Sequence, residues 1–156
     1  MSSTIKKSTG TLLVAASVLF FAKGYQLHSM GGQAINHTFW LGNYTDCLAQ
    51  AKKENKKILL DISAPYCSIC KAIDKKMFMN ETVQQALSGC VVPVKIDELD
   101  AQDPIHAKIQ QQFNVVGVPT LLLIDPADET QLICWGSELY DYEPEAFVSE
   151  VRKRVG

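Results

Sequence analysis

Cys67-Ser68-Ile69-Cys70 is the only place in the chain where two thiols stand two residues apart. Such a pair can exchange disulfides, close a structural bridge or supply half of a zinc site. Ile58 to Ser63, just before it, is a compact apolar run rich in strand formers, and Pro65 then breaks the chain. The pair is therefore predicted directly after a strand, at the N-terminus of a helix. Free amides and the positive end of the helix dipole favour a thiolate at the first cysteine, while the second lies a turn deeper. Cys67 is thus the expected nucleophile and Cys70 the expected resolving thiol, since i and i+3 share one side of the first turn. Zinc needs about four ligands. His28, His37 and His106 are isolated and no second cysteine pair exists, so no metal is expected. A structural bridge closing so short a loop would constrain little of the unfolded chain, and explains the motif poorly.

Two further residues carry open readings. Asp61 interrupts the apolar strand six residues before Cys67. A buried lone carboxylate is driven to a raised pKa or to a partner, which would suit it to take a proton from Cys70. The alternative is an Asp at a strand end facing water. Pro119, in Gly117-Val118-Pro119-Thr120, is either an ordinary strand-start proline or the second residue of a cis Val118-Pro119 bond that turns the Val118 backbone toward a substrate segment.

The elements that must position these residues follow from periodicity. Tyr44 to Asn55 places Tyr44, Cys47, Leu48 and Ala51 at helical spacing, and Ile58 to Ser63 reads as a central strand. Cys67 to about Leu87 is helical, kinked or divided at Asn80. Cys90 to Asp97 is a second strand, and Asp103-Pro104 opens a helix that ends near Phe113. Pro119 to Asp125 and Gln131 to Trp135 form a hairpin, and Glu143-Pro144 starts a last helix with Phe147, Val148, Val151 and Val155 on its apolar stripe. The predicted class is α/β, with a central mixed sheet flanked by helices on both faces.

Ahead of this lies a segment that reads as targeting. Lys6 and Lys7 precede an uncharged, mostly apolar run from Gly10 to Ala22, which Lys23 closes. This is a signal-peptide pattern. A helix of that length reaches about 20 Å, short of the ~30 Å hydrocarbon core, so cleavage near Ala22 or after Ala34 is expected over a short membrane anchor. The division is 1–23 signal peptide or anchor, 24–36 linker and 37–156 folded domain, with membrane contact only through an uncleaved leader. Export is the expected outcome. The chain carries 15 basic and 17 acidic residues, and Lys6, Lys7 and Lys23 all belong to the leader or its edge, so the remainder is clearly acidic. No nucleic-acid footprint results, and Lys52, Lys53, Lys56 and Lys57 read as a solvated helix end.

With these residues in view, Ile58 to Lys71 and Val115 to Asp125 resemble the active-site and cis-proline segments of the thioredoxin superfamily. Trp40, the Tyr44 to Lys53 helix and Asn55-Lys56-Lys57-Ile58-Leu59-Leu60-Asp61 are similar to the periplasmic C-terminal domain of transmembrane thiol:disulfide interchange proteins and its stand-alone relatives. The resemblance implies a thioredoxin fold and a redox-active Cys67/Cys70 disulfide, with Asp61 as buried acid and Pro119 as cis-proline. Tyr66, where thioredoxins carry Trp, and Val118 would then touch substrate. It implies protein disulfides as substrates, a membrane-embedded electron donor in place of a bound cofactor, and a reductant or exchanger in the periplasm. Ser68-Ile69 departs from the usual dipeptide, so oxidation of substrates on the same site stays open. A non-catalytic binding module is a third possibility. Cys47 and Cys134 fall at apolar-pattern positions and are expected as buried inert thiols, whereas Cys90, before a strand, could be exposed enough to pair.

Overall fold

The computed structural model describes residues 39–156. The readings of 1–23 as leader, of 24–36 as linker and of a fold beginning at His37 lie outside the described residues. Among the described residues no helix is long and apolar enough to cross a membrane.

Helix α1 (Tyr44–Glu54) starts where the Asn43 side chain accepts the Asp46 amide and stops at Asn55, whose left-handed φ of 53° is one an Asn tolerates. It buries Tyr44, Cys47 and Ala51. Strand β1 (Lys57–Ser63) follows, buried from Ile58 onward. The predicted helix from Cys67 is three pieces: α2 (Ser68–Ile73), a π-helical turn (Asp74–Phe78) and α3 (Glu81–Ser88). Asn80 causes the final break, because its side chain accepts the Thr82 and Val83 amides and begins a new helix. Strand β2 (Val91–Asp97) comes next, then α4 (Pro104–Gln112), capped by Asp103 with Pro104 in its first turn. β3 (Thr120–Asp125) and β4 (Thr130–Trp135) form the expected hairpin. A 3-10 turn (Ser137–Asp141) that periodicity did not foresee leads to α5 (Pro144–Val155).

The strands are ordered β2-β1-β3-β4, with β1 parallel to β2 and the other pairings antiparallel. Strand side chains alternate between faces, so parity sorts the core. Ile58, Leu60, Ile62, Val92, Val94, Leu122 and Ile124 meet α1 and α4 on one face. Leu59, Val91, Leu121, Leu123 and Trp135 meet α2, the π turn, α3 and α5 on the other. This second face is the aromatic one: Phe147 packs edge-on against Trp135 and Phe78, and Trp40 edge-on against Phe78. Pro93, which has no N–H to give, is tolerated because β2 is an edge strand, and Leu41 closes that edge with an N–H to the Pro93 carbonyl at 2.9 Å. The layout is the thioredoxin fold: one domain, a mixed sheet and helices on both faces.

Candidate functional site

The loop leaving β1 sets the dithiol in place. Cys67 donates its N–H to the Ala64 carbonyl at 3.0 Å, closing a turn around exposed Pro65 and Tyr66, and then serves as the N-cap of α2. Its sulfur accepts the Cys70 amide at 3.1 Å, so a helix-end N–H faces that sulfur and would favour negative charge on it. Cys67 and Cys70 are joined as a disulfide, with Cα atoms 5.3 Å apart. Both are buried, at 7% and 4% exposure, in a small cluster with Ala64 against which Ile69 and Val118 pack.

The Val118-Pro119 peptide bond is cis. It sits immediately before β3, with the Thr120 hydroxyl donating to the Gly117 carbonyl at 2.7 Å. The turn brings Val118 against the dithiol and leaves Val116 92% exposed beside it. Tyr66 is 77% exposed and lines the same cavity as Val116 and Val118.

Asp61 does not face water. It has the parity of Leu59, which turns it toward the layer that holds α2, and it is buried. Burial outweighs the pull of Lys95, and the charges of Asp74 and Asp97 add to it, so its carboxyl is pushed up to about 6. Residue patterning missed two members of this group. Lys95 lies directly opposite Asp61 in the β1–β2 register and donates from Nζ to Asp61 Oδ2 at 2.7 Å and to Asp74 Oδ2 at 2.6 Å. Burial works against the Lys95 ammonium, but the two carboxylates prevail and hold its pKa above the ordinary value. Its Nζ also stands 5.5 Å from the Trp40 ring centroid, within cation–π range. Asp74 opens the π turn and donates its N–H to the Cys70 carbonyl, which places it one turn beyond Cys70. The charged cluster is thereby tied to Cys70 through the helix backbone. The only signals available in sequence were a Lys in an apolar strand and a carboxylate four residues after Cys70.

The remaining thiols are separate from this centre. Cys47 is buried as expected and Cys90 is half-buried. Cys134 is exposed, against the expectation of burial. It pairs with Leu122 and so points to the face covered by α1 and α4, but on edge strand β4, where neither helix reaches. Desolvation by neighbouring protein pushes all three thiols up, with Asp46 adding at Cys47 and Glu138 at Cys134, so none is primed as a thiolate. Among the described residues no group of His, Cys, Asp and Glu is placed to hold a metal ion.

A family model described as thioredoxin-like matches residues 39–126. The thiol:disulfide interchange protein DsbD of Yersinia enterocolitica is 33% identical over 128 residues, covering 76% of this chain and 22% of that protein. DsbD of Campylobacter jejuni is 25% identical over 139 residues, covering 81% of this chain and 24% of that protein. The chain therefore spans about a fifth to a quarter of the length of these relatives. Among solved structures, a thioredoxin from Thermus thermophilus superposes with a TM-score of 0.58 at 17% identity, over 73% of this chain and 85% of its own. The oxidised DsbD C-terminal domain of Neisseria meningitidis superposes with a TM-score of 0.54 at 17% identity, over 70% and 90%. At such identities the superpositions speak for the fold.

Proposed function

Since this chain belongs to the thioredoxin-like family, we propose that it is an exported thiol:disulfide oxidoreductase that reduces or exchanges disulfides of protein substrates through Cys67 and Cys70. The observation that carries the reading is the closed Cys67–Cys70 disulfide at the start of α2, flanked by the cis Val118-Pro119 bond. In the reduced protein the Cys67 thiolate attacks one sulfur of a substrate disulfide; that S–S bond breaks, its other sulfur leaves as a thiolate and takes up a proton, and a mixed disulfide forms at Cys67. Asp61 takes the proton of the Cys70 thiol, and Cys70 Sγ attacks Cys67 Sγ. The second substrate sulfur leaves as a thiolate, and the Cys67–Cys70 disulfide remains. Two electrons pass to the substrate, and a dithiol donor must return them. Tyr66, Val118 and Pro119 line the approach of the substrate segment.

We assign the donor to a membrane-embedded dithiol protein and the location to the periplasm or another extracytoplasmic space. The support is the Lys6-Lys7 and Gly10–Ala22 pattern, together with similarity to thiol:disulfide interchange proteins. The test uses protein with Cys47, Cys90 and Cys134 replaced by Ser. Cys67→Ala should abolish exchange with a protein disulfide, and Cys70→Ala should accumulate the mixed disulfide at Cys67. Equilibration with glutathione then fixes direction: a potential near about −270 mV supports a reductant, and one near about −120 mV makes the same site an oxidant. No exchange by the unsubstituted dithiol, with substrate binding that is the same in Cys67→Ala, would leave only a binding module.

A further inference from the structure

Beside the dithiol lies a cavity of about 250 Å³, two of whose lining residues, Tyr66 and Val118, also line the approach of the substrate segment. Its walls include Tyr66, Leu99, Val115, Val116 and Val118, and its lining contains a single charged residue, Glu98. Glu98 directly follows β2 and has a left-handed φ of 71°, held by its N–H to the Ser63 carbonyl at 2.9 Å. Among the described residues its carboxylate enters no ion pair and accepts no hydrogen bond, although the chain has bases to spare elsewhere. A slot walled by these apolar side chains together with Ser63 and Gln110, and carrying one uncommitted carboxylate, fits a side chain with a hydrocarbon stem and a cationic head, which packs the first against the walls and keeps the second at the water boundary. Tyr66, exposed in the same lining, adds an aromatic ring that a cation can approach.

We propose that this slot selects substrates whose reactive cysteine is flanked by lysine or arginine, with Glu98 as the specificity-determining residue. The inference rests on the exchange reading above and names the class of substrate that the site prefers. Val118 touches both the dithiol cluster and the slot, so a segment bonded to Cys67 has its neighbouring side chains within reach of Glu98. The charge is partly solvated, so the preference is modest and falls with salt.

The test measures the rate at which the reduced full chain, with Cys47, Cys90 and Cys134 as Ser, attacks single-cysteine peptides capped as mixed disulfides with 2-mercaptoethanol. The residues flanking the peptide cysteine are Lys, norleucine or Glu. Each rate is divided by that of dithiothreitol on the same peptide, which removes the effect of the flanking charge on the disulfide itself. The Lys peptide should exceed the Glu peptide by about fivefold at low ionic strength, with norleucine between them. Glu98→Gln should bring the Lys/Glu ratio close to one, and Glu98→Lys should invert it, with the rate on bis(2-hydroxyethyl) disulfide unchanged in both. A ratio near one in the unsubstituted protein, a ratio indifferent to Glu98→Gln, or norleucine as the fastest peptide would overturn the assignment. Failure to react with any peptide or with bis(2-hydroxyethyl) disulfide would instead overturn the exchange reading beneath it.

Discussion

Replacing Asp61 with Asn tests whether the buried carboxyl is a desolvated acid poised to take a proton. In the folded protein its pKa is raised from 3.8 to about 6. The folded state therefore holds this proton more tightly than the unfolded state does, and stability must fall as pH rises through the interval between the two values. The contribution is fully present below about pH 4 and lost above about pH 6. At 1.36 kcal/mol for each tenfold change, the cost of carrying the charge above pH 7 is about 3 kcal/mol. Asn has nearly the same shape and no charge, and Lys95 keeps its bond to Asp74 at 2.6 Å. Asp61→Asn should thus match the unsubstituted protein near pH 4 and exceed it by about 2 kcal/mol at pH 8, once a lost hydrogen bond to Lys95 is subtracted. Urea titrations of the oxidised protein, followed by the fluorescence of Trp40 and Trp135, read this difference at each pH. A difference independent of pH, or a less stable variant at pH 8, would refute the desolvated-acid argument. The same variant should resolve mixed disulfides on the order of a hundredfold more slowly and lose the step near pH 6 in its rate profile. Normal resolution with the predicted stability shift would leave Asp61 buried but without a role as base.

Two substitutions probe what surrounds that carboxyl. Lys95→Met withdraws the Nζ shared by Asp61 and Asp74 while keeping the stem, so it should destabilise by about 3 kcal/mol at pH 8 and far less at pH 4, where Asp61 is protonated; equal losses at both pH values would refute the ion-pair account. Phe147→Ala removes a fully buried ring that packs edge-on against Trp135 and Phe78, with centroids 5.3 and 5.9 Å away. It should cost about 3 to 5 kcal/mol in urea titrations without changing the reactivity of Cys67 toward a small disulfide.

Most of the fold was legible because its signals are local. Asp103 caps a helix that begins where its side chain accepts amides, and the apolar runs of β1 and β3 are too short for helices. What was not legible depends on partners distant in sequence. The helix after Cys67 keeps apolar spacing across the π turn, so that turn could not be read, whereas the division at Asn80 could. Cys134 has the same kind of neighbours as a core residue, and its exposure follows from β4 standing at the sheet edge beyond the reach of α1 and α4. The dithiol itself was readable from one motif, since a Cys-x-x-Cys at a strand-to-helix junction needs no distant residue to make sense.

The acid cluster marks the boundary between the two kinds of information. Asp61 could be singled out because a carboxylate in an apolar strand demands an explanation. Its counter-ion could not, because a parallel pair has no connecting turn to set its register, and Lys95 could have met any residue of β1. Once Asp61 stands opposite Lys95, the rest follows by parity: both side chains leave the sheet on the face where Leu59 and Val91 meet the dithiol layer, and Asp74 reaches Lys95 from the turn after Cys70. A shift of one residue would have turned Lys95 toward α1 and α4, leaving a bare carboxylate beneath the helix that carries Cys70. The register of two strands thus determines whether Asp61 is a tunable acid or an uncompensated charge.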